Sequence, residues 1–249
     1  RKKVGNEKVN TPEALYNLSD TKEQILEDAS KAGIMYDENL DQDIRSVRET
    51  IKLGLKGIAA YAHQARIINY NSDEVDDYYF IALALLTDDS LSLQDLIKYV
   101  LKTGEISVKI LEVLDTANNE TYNSPCPQKV NVNKKKGPFI IVSGHDLRDL
   151  EMLLQQTDGK GINIYTHGEM LPAHAYGKLN KYSHLVGNFG GAWQDQQKEF
   201  DGIPGCMLMT TNCIMKPRDS YKDRIFSTSV VGWDGVEHIA RSEERRVGK

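Results

Sequence analysis

Three side chains of metal-binding type, His145, Glu169 and Cys213, each stand two or three residues beyond a short apolar run of strand character. The runs cover residues 139–142, 162–166 and 206–211. In an open α/β sheet, ligands collect in the crevice beyond the carboxyl ends of the strands, so three such positions would converge on one point. An imidazole, a carboxylate and a thiolate together suit a transition metal. Each residue also has a plainer reading. Alone, His145 suits a histidine hydrogen-bonded at a strand end or capping the next helix. Glu169 suits a helix N-terminus, where the dipole favours an anion, and Cys213 suits a small buried hydrophobe. Their common placement at strand ends brings metal ligation level with those readings.

The elements that would position the three residues change character along the chain. Up to about residue 121, helix signals dominate. Thr11-Pro12 is a cap followed by proline at the first helical position, and Asp20 with Glu23 opens a run that Gly33 ends. Ile44, Val47, Ile51, Leu55, Ile58 and Ala62 step by three or four, the stripe of an amphipathic helix. Gly54 and Gly57 inside that stripe each cost about 1 kcal/mol relative to Ala, so close helix packing is expected to compensate. Ser92 with Asp95 caps a further run ending at Gly104, and residues 105–114 continue the helical pattern. Residues 118–137, rich in Asn, Pro and Lys, read as a linker or long connection. Beyond Gly137 the period shortens: strand 139–142, amphipathic helix 146–156 and strand 162–166 make a βαβ unit. Strands at 184–186, 207–211 and 224–227 and a helix over about 192–200 extend it. The expected fold class is α/β, with an N-terminal helical bundle followed by a Rossmann-like parallel sheet.

Composition narrows the function. With 249 residues and 40% hydrophobic content, the chain can build real cores. No apolar run has the length of a membrane span and none follows the basic start as a signal peptide would, so a soluble cytoplasmic protein without a membrane partner is expected. Three cysteines, Cys126, Cys206 and Cys213, argue against a disulfide framework, and a net charge of −5 without a basic stripe argues against nucleic acid. No Gly-rich dinucleotide fingerprint follows a strand and no phosphate-loop lysine motif occurs, so NAD and ATP are not indicated. The Gly-rich stretch 187–191 reads as tight packing. Residues 241–249 read as an in-frame translation of a sequencing adapter. They carry four basic and two acidic side chains, leaving −7 on the rest. The expected divisions are therefore 1–136 (end of a helical domain plus linker), 137–240 (α/β domain carrying the candidate ligands) and 241–249 (non-native tail). The absence of a starting Met suggests an internal fragment.

The words around the three candidate ligands are more specific than their types. Gly144-His145-Asp146-Leu147, Tyr165-Thr166-His167-Gly168-Glu169-Met170-Leu171-Pro172 and Thr210-Thr211-Asn212-Cys213 resemble the hybrid-cluster (prismane, hydroxylamine reductase) proteins. The likeness runs through residues 137–239, including Gly187-Asn188-Phe189-Gly190-Gly191-Ala192-Trp193 and Tyr221-Lys222-Asp223-Arg224, and upstream through 43–50 and 54–61. The intervals of 24 residues from His145 to Glu169 and 44 from Glu169 to Cys213 also fit. Two departures are Gly177, where the family often has Pro, and Cys206, where a small apolar residue is usual.

The resemblance implies a hybrid iron–sulfur–oxygen cluster held by one His, two Glu, four Cys and a nearby Lys, with His145, Glu169 and Cys213 as its first three members. The remaining members are expected after Ile239. A second iron–sulfur cubane is expected on an N-terminal region absent from this chain. The implied partners are a small N–O substrate, hydroxylamine or nitric oxide, and an electron-donor redox protein. His145 and Glu169 would be catalytic as well as ligating. The three side chains are expected in one crevice, spaced for a multi-iron cluster and wider than the ligands of one ion. Cys206 is expected to pack in the core and Cys126 to lie in a loop. His167, His174 and His184 are expected to be structural, with His167 close enough to orient Glu169. His63 is expected as a surface or core residue of a helix, and Tyr78, Tyr79 and Trp193 as core aromatics. Two other classes stay open: a mononuclear metal hydrolase with water as fourth ligand, and a metal-free module.

Overall fold

The computed structural model describes residues 17–30 and 39–240. The cap at Thr11-Pro12, the stop at Gly33 and residues 241–249 lie outside the described residues.

Four helices come first: α1 (Lys22–Ser30), α2 (Gln42–Arg66), α3 (Asp73–Leu85) and α4 (Leu93–Tyr122). Their starts have a common cause, an oxygen side chain accepting from orphan amides of the first turn. Asp41 accepts from Asp43 and Ile44 N–H at 3.0 and 3.1 Å, and Ser92 accepts from Asp95 N–H at 3.2 Å. The α2 stripe buries Ile51, Leu55 and Ile58 against Leu96, Ile106 and Ile110 of α4, with Ile44, Val47 and Ala62 partly buried around them. Each fully buried aliphatic side chain contributes roughly 1.5–3 kcal/mol. Gly54 shows the close approach: a Cβ there would stand 2.6 Å from Thr103 Cγ2 of α4. Gly57 does not, since a Cβ would meet nothing within 4 Å. The expected stop at Gly104 is also corrected. Helix α4 runs through it unbroken, because a good N-cap and the apolar face buried at Thr103, Ile106 and Ile110 outweigh one glycine. No helix among the described residues is long and apolar enough to cross a membrane.

Residues 123–138 form the long connection, and it is fastened along its length. Cys126 N–H donates to Ala175 O at 3.0 Å, Asn188 N–H to Asn131 O at 2.8 Å, and Lys135 N–H to Tyr165 Oη at 2.8 Å. The segment thus runs over edge strand β3 (Leu185–Phe189) and pairs part of its open edge. Gly187 is small for this reason, since a Cβ there would collide with the Asn131 carbonyl. At positive φ (+67°), Gly190 likewise leaves room for the Glu199 carboxylate.

The second half is a six-stranded all-parallel sheet in the order β3-β2-β1-β4-β5-β6. Its other strands are β1 (Phe139–Ser143), β2 (Asn163–His167), β4 (Cys206–Met209), β5 (Ile225–Thr228) and β6 (Glu237–Ile239). The period-two alternation of side chains makes two cores. Val142 and Ile164 face one layer with Leu150 and Leu154 of α5 (Leu147–Thr157). Ile141 and Tyr165 face the other layer with Phe200, Met207, Met209 and Tyr221. The expected helix over 192–200 is a short 3-10 turn, Trp193–Asp195, followed by α7 (Gln196–Glu199), and the expected strand 184–186 begins at Leu185. A 3-10 segment, Gly168–Ala175, and the short α6 (Gly177–Asn180) follow β2.

Trp193 is 42% exposed and so is not a core aromatic. Tyr78 is buried and Tyr79 partly buried, as expected. Cys206 is exposed, not packed: it opens β4, whose inward side chains are Met207 and Met209. Cys126 is exposed in the connection.

Candidate metal centre

The strand order reverses between β1 and β4, the switch point at which open α/β sheets form their ligand crevice. His145 follows β1, Glu169 follows neighbouring β2 and Cys213 follows β4. All three therefore leave adjacent strands at the same edge of the sheet, and their donor atoms lie within 4.8 Å of one another.

Each position has a local cause. His145 lies between Gly144 and Asp146. At Gly144 (φ +111°) a Cβ would meet Thr211 N at 2.8 Å, so only glycine lets the β1 exit lie against the β4 exit. Asp146 caps α5, accepting from Arg148 and Asp149 N–H at 2.9 and 3.1 Å. Glu169 follows Gly168, whose φ of +57° turns the chain sharply out of β2 into the 3-10 segment. Cys213 is held through its backbone by fully buried Gln196. The Gln196 amide donates to Cys213 O at 2.5 Å and Trp193 O at 2.7 Å, and its carbonyl accepts from Met215 N–H at 2.9 Å.

At the centre, the Glu169 carboxylate is shared. Its Oε2 lies 2.8 Å from His145 Nε2 and accepts from Cys213 Sγ at 3.2 Å, while the sulfur is 3.9 Å from either ring nitrogen. Cys213 is buried, whereas His145 and Glu169 keep 38% and 54% of their side-chain surface exposed. Burial, then the hydrogen bond to Glu169 and its charge, push the Cys213 thiol up to about 12. The hydrogen bond from Cys213 holds the Glu169 carboxyl below its ordinary value, with a further contribution from His145. The wide spacing expected for a multi-iron cluster is not found. Thiol, carboxylate and imidazole close on one another because the carboxylate is an acceptor that both neighbours can reach.

The other histidines are corrected or supported one by one. His167 does not orient Glu169. It is fully buried, with Nδ1 at 3.0 Å from Ser143 Oγ and Nε2 at 2.9 Å from Glu199 Oε2, and burial lowers its pKa. Glu199 in turn accepts from Gly191 N–H at 2.7 Å. His174 bonds Thr166 at 2.9 Å and His184 bonds Thr157 at 3.0 Å, both structural roles. His63 is a half-buried residue of α2. Gln196 and Thr211 shape the site although sequence reasoning does not single them out. Gln196 carries no motif signal, and Thr211 is visible only as a letter of the Thr-Thr-Asn-Cys word.

The donor set passes the chemical test for a metal. It brings one nitrogen, one carboxylate oxygen and one sulfur to a single locus, a mixture suited to iron, cobalt or zinc and unlike the all-oxygen shells of calcium or magnesium. Fold and site together define an α/β protein with a candidate transition-metal centre at the switch point of its sheet. The chain belongs to the Prismane/CO dehydrogenase family, whose model matches residues 2–248. It is 48% identical over 229 residues to a hydroxylamine reductase of Desulfitobacterium hafniense, covering 92% of this chain and 41% of that protein. It is 55% identical over 199 residues to one of Kosmotoga olearia (80% and 36%) and 45% identical over 238 residues to one of Clostridium tetani (96% and 41%). The chain thus spans about two-fifths of the length of these curated relatives.

Proposed function

We propose that this chain is a segment of an iron–sulfur oxidoreductase that reduces small N–O compounds at a hybrid iron–sulfur–oxygen cluster. The reaction is reduction of hydroxylamine to ammonia and water, with two electrons and two protons consumed, or reduction of nitric oxide. What supports the reading is the convergence of His145, Glu169 and Cys213 at the switch point in a member of this family. Cys213 would anchor the cluster through sulfur, and His145 and Glu169 would supply the harder nitrogen and oxygen donors. When bound, such a mixed-donor iron centre supplies electrons and an open position for a small ligand.

The chain's own groups prepare that chemistry. Cys213 has its proton held by burial and by Glu169, so ligation must release it, and loading is expected to liberate a proton. Ile141, Met209 and Tyr221 share an apolar cluster with Cys213 and keep water from the sulfur side. Glu169 and His145 face solvent, where a small polar substrate would arrive and where protons can be passed on. An electron-donor redox protein and a second cubane cluster outside this chain would complete the electron path, in the cytoplasm.

In a full-length protein carrying this segment, Glu169→Gln keeps the shape and removes the charge. Hydroxylamine reduction should fall by about tenfold or more and the cluster's electron-paramagnetic spectrum should change. Unchanged activity with an unchanged spectrum would sink the assignment. One observation favours a second reading, a mononuclear metal hydrolase: contacts of 2.8–3.9 Å suit the ligands of one ion. Metal analysis of the same full-length protein separates the two, since zinc without iron or sulfide selects the hydrolase.

A further inference from the structure

We propose that Thr211 is the positioning residue for His145, holding the imidazole by Nδ1 so that Nε2 is the nitrogen presented to Glu169. The inference rests on the reading of those three residues as ligands. It concerns a residue that touches none of the reacting atoms.

The geometry is a double grip by one oxygen. Thr211 Oγ1 lies 2.9 Å from the backbone N of His145 and 2.8 Å from its ring Nδ1. A backbone N–H can only donate, so the hydroxyl accepts there. Its own proton and its second lone pair remain for Nδ1, which can therefore be either acceptor or donor without losing the contact. That freedom matters at a metal-type site. An imidazole that gives Nε2 to a cation carries its proton on Nδ1, and a hydroxyl can receive it where a carbonyl-only or apolar neighbour could not serve both states.

The grip is also rigid. Thr211 is 3% exposed and β-branched, which limits its χ1 freedom. The backbone at Gly144 lies directly on it, with a Cβ position 2.6 Å from Thr211 Oγ1. The preceding Thr210 ties the same loop from the other side, donating to Ser143 O at 3.1 Å and accepting from Asp146 N–H at 3.4 Å. Two successive hydroxyls beyond β4 thus fasten the β1 exit, and only the second reaches the imidazole. Without the Thr211 hydroxyl, nothing else among the described residues engages Nδ1 closely, since Cys213 Sγ stands 3.9 Å from both ring nitrogens. The ring could then turn about its Cβ–Cγ bond and present either nitrogen.

The test compares Thr211→Val, which keeps the shape and loses the hydroxyl, with Thr211→Ser, which keeps the hydroxyl. The first readout is the long-range nitrogen–proton NMR pattern of the histidine rings in the 249-residue chain, with His174 as a fold control because it bonds Thr166 elsewhere in the sheet. The wild type should show one hydrogen-bonded Nδ1 at His145, Thr211→Val should show mixed ring states, and Thr211→Ser should restore the wild-type pattern. Cobalt(II) titration is the second readout, and Thr211→Val is expected to weaken binding by about 10–100-fold. An unchanged His145 pattern in Thr211→Val overturns the proposal. So does a wild-type His145 with no hydrogen-bonded Nδ1, and that result counts even if the valine variant fails to fold. If the ring patterns split as expected while the wild type binds no cobalt, the positioning role stands and the ligand reading falls.

Discussion

The thiol of Cys213 and the carboxylate of Glu169 each answer the other's chemistry, one holding a proton and the other accepting it, and the His145 ring shares the same oxygen. This is why the residue types are legible before the fold and the distances are not. Strand-end placement predicts that three donors converge, but the contacts depend on side-chain hydrogen bonds that no spacing encodes. Cys206 and Trp193 depart from expectation for a related reason: an apolar residue type points to burial, whereas the first residue of a short strand and the first of a 3-10 turn stay at the surface. A thiol census tests this. Under native conditions Cys126 and Cys206 should alkylate readily, and Cys213, buried in the second core, should lag by roughly tenfold or more. Equal rates for all three would contradict the burial. Cys206→Ala should move stability by no more than about 0.5 kcal/mol in a denaturant titration, since its side chain leaves no cavity behind.

Elements are more legible than their ends. The α2 stripe and the cap at Ser92 follow from local patterning, and they appear where the pattern puts them. Glycine is the weak point, because the same residue ends a helix, admits a neighbour or merely dilutes a helix, and only the surroundings decide. Gly54 admits Thr103, whereas Gly104 faces open space in the middle of α4. Opposite outcomes are therefore expected from one chemical change. Gly104→Ala should stabilise by about 0.5–1 kcal/mol through helix propensity. Gly54→Ala gains the same propensity but pushes a methyl to 2.6 Å from Thr103 Cγ2, so it should destabilise by about 1–3 kcal/mol. Urea midpoints of the two variants decide the matter, and a stabilised Gly54→Ala would mean that α2 and α4 are not in contact at that point.

Across the whole molecule, alternating strands and helices foretell a parallel sheet but not the order of its strands, which depends on pairings between segments far apart in sequence. β1 pairs with β4 across more than sixty residues, and that pairing creates the switch point where the three donors meet. Strand β6 has no sequence signal, for its three residues are exposed and show no alternation. The order of the sheet also sets what this chain can do by itself. It delivers one thiol, one carboxylate and one imidazole to the crevice, whereas an iron–sulfur cluster is ordinarily held by several thiolates. Cys126 lies in the connection, its N–H bonded to Ala175 O, and Cys206 lies at the opposite end of β4 from Cys213, so neither is among the donors that meet in the crevice. Anaerobic reconstitution with iron and sulfide should therefore leave the 249-residue chain without a stoichiometric cluster and without hydroxylamine reduction, while a full-length protein carrying the segment takes one up. Iron and acid-labile sulfide assays on both read the result directly. A multi-iron cluster on the chain alone would mean that three donors suffice, and the division of labour argued from the sheet would have to be abandoned.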